Sequence, residues 1–248
     1  MNTTLSVLMV CAALGQSQKA PGVEQVLKPE LELIEKEDSK LAGVDTWIID
    51  EFVFIQPRMI TVDIPGKTPS RRLLLYVVYR VTNRGKAERR FVPKFLLVDD
   101  RGNSYLDVIL PKAQRAIQSR EDPLRPLENS ITIIQNLKPS TDEADDNSAY
   151  GVAIWDATPL PAPPKGQPRT TLDPTFNGFK ILIEGLSNSV QFERDELGKM
   201  QIKTMKDPVT GEEKVQRKTL LLKFARPGDE FNQNEREIRY LGHEWLYQ

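Results

Sequence analysis

The chain of 248 residues contains one cysteine, Cys11, and one histidine, His243. Zinc fingers, disulfide-rich scaffolds, redox CxxC sites and multi-histidine metal centres all need more side chains of these two types. The charges nearly cancel, because 34 Lys plus Arg face 35 Asp plus Glu. A nucleic-acid-binding domain usually carries a strongly basic patch. The composition therefore predicts no zinc or redox site and no nucleic-acid partner.

Motifs for phosphate binding and for nucleophilic catalysis occur only as fragments. Residues 66–68, Gly-Lys-Thr, match the end of a P-loop, but Thr61 stands where that motif needs its first glycine, and no GxGxxG segment occurs. Residues 185–189 approach the GxSxG elbow, but Ser189 replaces the second glycine and a strand-like segment follows. Both segments are predicted to be turns. His243 is predicted to be a surface or hydrogen-bonding residue, and no catalytic residue is assigned.

The first 17 residues are predicted to be a secretory signal peptide. Residues 5–14 form an apolar run that is followed by small and polar residues. The run is too short to span a bilayer, which needs about 20 apolar residues. Two alternatives stay open, namely lipidation of Cys11 or a buried first strand. A mature chain without cysteine favours a bacterial envelope over an animal secretory pathway, so we expect an extracytoplasmic protein, periplasmic or secreted, without a transmembrane helix after signal removal.

Residues 18–46 are rich in charge and are predicted to be an N-terminal extension that is partly helical or disordered. From residue 47 onward, short β-branched and aromatic segments alternate with turn residues. No long helix separates these segments, which argues against a parallel α/β sheet. The predicted fold of 47–248 is mostly β, an antiparallel β-sandwich with a helical insertion at 111–122 and a proline-rich insertion at 156–176. The proline-rich stretch is interpreted as a loop within one sandwich, and a linker between two domains is the alternative.

The clearest alternation lies at residues 73–81. One face of this predicted strand carries Leu73, Leu75, Val77, Tyr79 and Val81. A turn at 83–86, a strand at 91–98, a turn at 99–103 and a strand at 104–110 follow, and the three strands are predicted to form a meander. A helix is predicted to begin at Pro111, with Ala113, Ala116 and Ile117 on its apolar side. Further strands are predicted at 130–134, 150–155, 179–184, 190–194, 201–205 and 218–224.

Oxygen ligands for a hard cation occur in two turns. Candidate calcium ligands are Asp99, Asp100 and Asn103 in the first turn, and Asp142, Asp145 and Asp146 in an acidic loop. Neither segment matches the EF-hand loop, which needs a DxDxDG pattern and a distal Glu. The alternative interpretation is that these residues are solvated and keep the turns soluble. Calcium is the only cofactor considered.

Two groups of side chains suggest binding surfaces. The first is basic and comprises Arg89, Arg90, Lys94, Lys112, Arg115, Arg120 and Arg125, which could attract an anionic glycan or a lipid head group. Acidic residues are interleaved with them, so a solvated face of weak ion pairs is the alternative. The second group comprises Trp47, Trp155 and Trp245, which could stack on sugars. Trp47 and Trp155 are predicted to be core residues instead.

Residues 73–105 resemble a motif of exported bacterial immunoglobulin-like domains of unknown function. In these domains a strand ends in a VxN-x-G turn, as at 81–85, and the next hairpin carries a D-x-G-x-x-Y turn, as at 100–105. The whole chain is also similar to uncharacterised secreted proteins of planctomycete-type bacteria. The resemblance implies an immunoglobulin-like fold and an extracytoplasmic location, and it implies no catalytic residue.

The expected function is a noncatalytic binding or scaffolding module of the bacterial cell envelope, with an unknown protein or a cell-envelope glycan as its partner. Two alternatives stay open. One is a glycan-acting hydrolase with paired carboxylates, whose positions cannot be read from sequence spacing. The other is a structural surface or adhesion component, which would assemble in a concentration-dependent way.

Overall fold

A computed structural model describes residues 40–41, 44–49, 51–140, 147–161, 164, 169–206, 212–226 and 238–248. The predicted signal peptide and the acids Asp142, Asp145 and Asp146 lie outside these residues. Among the described residues the chain is mostly β, with several antiparallel sheets, as predicted. In this part of the chain, no helix has the length and apolar character needed to cross a bilayer.

The described elements comprise seventeen strands and one helix. In chain order they are β1 Lys40–Leu41, β2 Val44–Asp45, β3 Glu51–Phe54, β4 Arg58–Asp63, β5 Arg71–Thr82, β6 Arg89–Phe91, β7 Lys94–Asp99, β8 Ser104–Leu106, α1 Pro111–Glu121, β9 Gln135–Leu137, β10 Ala149–Asp156, β11 Gly178–Glu184, β12 Phe192–Arg194, β13 Met200–Ile202, β14 Thr204–Lys206, β15 Glu213–Val215, β16 Lys218–Ala225 and β17 Arg239–Tyr247.

The first large sheet has four strands and is centred on β5. Strand β10 pairs with one side of β5, and β3 and β4 pair in succession with the other side. The register moves by one residue between the pairs Phe54↔Tyr79 and Arg58↔Tyr76. Pro57 lies in this bulge, where its missing N–H costs no ladder hydrogen bond.

The second large sheet has five strands in the order β17-β16-β11-β7-β8, and all neighbours are antiparallel. The hairpin of β7 and β8 was predicted and is confirmed. The predicted meander is wrong, because β5 and β7 belong to different sheets. The chain leaves the first sheet through β6, which pairs with β9, and Pro93 separates β6 from β7. Proline cannot donate to a ladder, so the predicted strand at 91–98 is interrupted near its start and continues as β7.

The two large sheets contribute to one hydrophobic cluster. From β5 the cluster contains Leu75, Val77, Tyr79 and Val81, with Leu73 packed against it, so the predicted buried face is confirmed. From the five-stranded sheet it contains Phe95, Phe179, Leu222 and Phe224, among others. Aromatic rings meet across the gap, with 4.8 Å between the ring centroids of Tyr79 and Phe95. The inner faces of the two sheets therefore pack against each other.

The outer face of the four-stranded sheet is covered by the helix. Leu74 and Tyr76 of β5 form a second cluster with Ala113 and Ile117 of α1. The helix begins at Pro111, as predicted, and it ends at Glu121, one residue before Asp122. Strand β5 is therefore buried on both faces, and it is the central element of the fold.

Some segments differ from their predicted structure. Residues 130–134 form a turn instead of a strand, because the Asn129 side chain accepts hydrogen bonds from the amides of Ile131 (3.0 Å) and Thr132 (3.1 Å). Such side-chain capping competes with strand pairing. The edge strand β17 was not predicted. It contains His243 and places that residue opposite Leu222.

Candidate functional site

The turn between β7 and β8 holds three of the predicted calcium ligands. The Asp99 carboxylate is buried and accepts hydrogen bonds from the amides of Arg101 (3.0 Å) and Asn103 (2.8 Å) and from the Tyr105 hydroxyl (3.2 Å). Asp100 accepts a hydrogen bond from the Asn177 amide at 2.9 Å. The Asp99 carboxylate therefore stabilises the turn itself, and the Asp100 carboxylate connects the turn to the residue that precedes β11. The described residues contain no group of three or more His, Cys, Asp or Glu side chains arranged to hold a metal, and calcium binding at this turn stays a prediction.

The segment that approaches a nucleophile elbow is a polar turn. The Ser187 hydroxyl donates to the Trp47 carbonyl oxygen (2.8 Å) and accepts a hydrogen bond from the Ser189 amide (3.0 Å). Gly185 has a φ of +92°, which allows the chain to turn away from β11. His243 is half-buried and its Nδ1 is hydrogen-bonded to the Tyr240 hydroxyl. Burial lowers the pKa of His243.

The tryptophans and the basic residues have separate local partners. Trp155 is buried and its Nε1 donates to the Tyr105 carbonyl oxygen at 3.0 Å, so its predicted core position is confirmed. The Arg89 guanidinium lies over the ring of the half-buried Trp47, 5.4 Å from its centroid. Lys94 pairs with Glu184 across β7 and β11, with 2.9 Å between Nζ and Oε1.

Two carboxylates, Asp107 and Glu128, face the gap between the two large sheets, and we refer to them as the inter-sheet carboxylates. Asp107 follows β8, and its amide donates to the Phe95 carbonyl oxygen (3.3 Å), so it continues the edge of the five-stranded sheet. Glu128 forms a parallel bridge with Gly151 of β10, at the edge of the other sheet. Side chains of directly paired residues project to the same face. Asp107 therefore shares the inner face with Phe95, and Glu128 shares it with Gly151.

Tyr79 reaches the same edge of the gap from β5. It is paired with Gly151, and its hydroxyl lies so close above this glycine that a Cβ at position 151 would collide with it. The Tyr79 side chain is fully buried, and no residue of the described chain hydrogen-bonds its hydroxyl. Burial raises the pKa of Tyr79, and the charges of Asp107 and Glu128 raise it further. The hydroxyl thus lies in the field of both inter-sheet carboxylates.

The inter-sheet carboxylates are themselves desolvated. Burial raises the pKa of Asp107, although a hydrogen bond from the Ser130 hydroxyl (2.5 Å) acts in the opposite direction. Burial also raises the pKa of Glu128. Glu128 lines a shallow surface depression of about 280 Å³, which links it to solvent.

Sequence reasoning missed Asp107 as a site residue, although its position in the predicted strand at 104–110 carried a signal. Asp107 stands two residues after Tyr105, in the phase that points inward. An acidic residue in the buried phase of a strand is unusual and indicates a special environment. Glu128 offered no such signal, because its bridge to Gly151 joins distant parts of the chain.

A second feature is an excursion of residues 190–217 between the neighbouring strands β11 and β16. It consists of two small hairpins, β12 with β13 and β14 with β15, and we refer to it as the two-hairpin segment. An isolated bridge between Val190 and Arg217 closes its base. Each described strand of the segment pairs only with its hairpin partner.

Apolar side chains of the two-hairpin segment point into solvent. The exposed fractions are 94% for Leu197, 38% for Met200, 47% for Ile202 and 48% for Met205. Met200 and Ile202 alternate along β13 and therefore share one face of the first hairpin. Clustered exposed apolar side chains often mark an interaction surface, and methionine adapts well to such a surface.

Comparison of the chain with protein-family models, with curated proteins and with solved structures gave no significant match. The resemblance of residues 73–105 to exported bacterial immunoglobulin-like domains therefore stays a prediction.

Proposed function

We propose that this protein is a noncatalytic binding or scaffolding module of the bacterial cell envelope, built on an immunoglobulin-like sandwich. The facing antiparallel sheets support the fold assignment. The signal-like residues 5–14 and a mature chain without cysteine support the extracytoplasmic location. The exposed apolar face of the two-hairpin segment is the observation that carries the binding role.

The partner of the two-hairpin segment is a protein with an apolar surface. Its exposed side chains are the aliphatic and thioether groups of Leu197, Met200, Ile202 and Met205. Such groups gain free energy when another apolar surface covers them. The aliphatic groups cannot hydrogen-bond the hydroxyl groups of a glycan, and the thioether sulfurs are only weak acceptors. The flexible thioethers suit a surface that has to adjust to its partner.

The inter-sheet carboxylates favour this proposal over a glycan-acting hydrolase. A hydrolase needs two carboxylates on either side of an open cleft that admits a sugar ring. Asp107 is half-buried and Tyr79, at the same edge, is fully buried. Asp107 therefore lies at the packed edge of the gap between the sheets and not in an open cleft.

Site-specific photocrosslinking in the native cells tests the binding role. A photoreactive amino acid at Leu197 should capture one defined partner, whereas the same probe at Leu241, an exposed leucine of β17, should not. In the Leu197 probe background, Met200→Ser combined with Ile202→Ser should reduce the captured product at least tenfold, and Leu241→Ser should leave it unchanged. The intact mass of the protein should correspond to a chain that begins after Gly15 or Ser17.

A variant without the two-hairpin segment provides a control for folding. Because Val190 and Arg217 are bridged, replacement of 191–216 by a short glycine-containing turn should preserve the circular dichroism spectrum of the sheets, which would show that the fold does not depend on the two-hairpin segment. Equal capture from Leu197 and Leu241, or capture that survives both serine substitutions, would refute the binding role. Capture of a second copy of this chain would favour the structural surface component, and a mature chain that still begins at Met1 would refute the extracytoplasmic location.

A further inference from the structure

The edge of the gap between the sheets holds negative charge that no cation among the described residues neutralises. Asp107 comes from the five-stranded sheet and Glu128 from the edge of the four-stranded sheet. Among the described residues neither carboxylate takes part in an ion pair, and the Ser130 hydroxyl is the one side-chain hydrogen-bond partner of Asp107. The nearby Arg125 donates to the Tyr150 hydroxyl at 3.0 Å and does not pair with Glu128.

The Tyr79 hydroxyl is an independent sign of a missing ligand. It is fully buried, it extends over Gly151 toward the strand edge where Glu128 lies, and it has no hydrogen-bond partner in the described chain. A buried hydroxyl without a partner costs free energy, and so does a desolvated carboxylate without a counter-charge. One bound cation with its water molecules would offset both costs.

We propose that the inter-sheet carboxylates bind a divalent hard cation, Ca²⁺, with the hydroxyls of Ser130 and Tyr79 completing the oxygen environment directly or through coordinated water. Calcium accepts carboxylate, hydroxyl and water oxygens in flexible geometry. Glu128 also lines the surface depression described above, so its carboxylate can be reached from solvent. The site differs from the two calcium turns predicted from the sequence, because its ligands come from distant parts of the chain.

The expected affinity follows from the number of charged ligands. Two carboxylates are fewer than an EF-hand provides, so we expect a dissociation constant of about 0.1 to 1 mM, which is typical of extracellular calcium modules. Calcium would bind the folded chain only, because the unfolded chain does not hold the two carboxylates together. At 5 mM CaCl₂ the thermal midpoint should therefore rise by about 2 to 9 °C relative to the protein in EDTA.

Two measurements test the site. The first is the calcium-dependent thermal midpoint, and the second is luminescence of Tb³⁺ bound to the full-length protein, which nearby phenol and indole rings sensitise and Ca²⁺ should displace. Asp107→Asn and Glu128→Gln should each weaken Ca²⁺ binding at least tenfold while the protein remains folded. Asp63→Asn, at an exposed carboxylate at the end of β4, serves as the matched control, and it should bind Ca²⁺ as the wild type does. Asp100→Asn tests the turn between β7 and β8 as the alternative site.

Three results would overturn the proposal. The first is the absence, in the wild type, of both a Ca²⁺-dependent thermal midpoint and Ca²⁺-displaceable Tb³⁺ emission. The second is undiminished Ca²⁺ binding in both Asp107→Asn and Glu128→Gln. The third is loss of Ca²⁺ binding in Asp100→Asn alone. Isothermal titration with Ca²⁺ on each folded variant separates loss of the site from loss of the fold.

Discussion

At the residue scale, Gly185 in the polar turn after β11 is required by the backbone conformation and not by the GxSxG motif that the segment resembles. Gly185 occupies a φ of +92°, which side-chain-bearing residues adopt only with strain. A Cβ at this position would also collide with the backbone carbonyl of Val92. Gly185 therefore allows the close approach of two backbone segments rather than the exposure of a nucleophile.

Substitution of this glycine should be costly. Gly185→Ala should lower the free energy of unfolding by about 3 kcal/mol or more, because left-handed strain of about 1 to 2 kcal/mol is joined by a backbone collision. Gly66→Ala is the matched control, since Gly66 also has a positive φ of 79° but open space around its Cα. It should cost only about 1 to 2 kcal/mol. Urea denaturation measures both values, and equal losses in the two variants would contradict the role of the collision.

At the element scale, an ion pair fastens the turn between β7 and β8 to the connection that enters β11. Arg101 pairs with Asp173, with 2.6 Å between Nη1 and Oδ2, and Arg169 pairs with the same carboxylate. Burial alone would raise the pKa of Asp173. Hydrogen bonds from Thr175 and Arg101 and the charge of Arg169 outweigh this effect and lower the pKa of Asp173 to about 2.

The pH dependence of stability should report this contact. The pKa of Asp173 is lower in the folded chain than in the unfolded chain, so its contribution is complete above about pH 5 and is lost as the pH falls toward 2. Asp173→Asn should reduce the free energy of unfolding at pH 7 by about 1 kcal/mol, because solvent screens the half-exposed Arg101. The variant should also lose less stability than the wild type between pH 5 and 2.

A double-mutant cycle with Arg101→Gln separates the ion pair from the local hydrogen bonds to Thr175. Asp173→Asn should cost less in the Arg101→Gln background than in the wild type. Equal costs in both backgrounds would show that Arg101 contributes nothing through Asp173.

At the scale of the whole molecule, one core joins the two large sheets. The chain passes from β10 in one sheet to β11 in the other through residues 157–177, and the inner faces of both sheets share a cluster. Loss of packing in one sheet should therefore destabilise the other.

Unfolding should accordingly be a single cooperative transition. Leu222→Ala in β16 of the five-stranded sheet should lower the free energy of unfolding by about 2 to 5 kcal/mol, since Leu222 is fully buried. Trp155, kept as the sole tryptophan by Trp47→Phe and Trp245→Phe, reports on the four-stranded sheet. Its fluorescence midpoint and the midpoint of the far-ultraviolet circular dichroism should shift together. Two separated transitions would contradict the shared core.

Local patterns predicted the elements that depend on neighbouring residues. The alternation at 73–81 corresponds to the inner face of β5, and the spacing of Ala113 and Ile117 corresponds to the buried face of α1. The turn residues at 99–103 indicated the hairpin of β7 and β8. The predicted strand at 130–134 was wrong, because the Asn129 side chain accepts a hydrogen bond from the Ile131 amide and thereby stabilises a turn.

The sequence by itself determined the mostly β character, the helix after Pro111 and the phase of the main buried strand, because each follows from residues within one or two turns of chain. Only the tertiary structure decided that β5 and β7 lie in different sheets and that Asp107, Glu128 and Tyr79 meet at one edge. These placements depend on pairing between residues far apart in the chain. Such pairing depends on how the two sheets pack against each other, and no local sequence pattern encodes this packing.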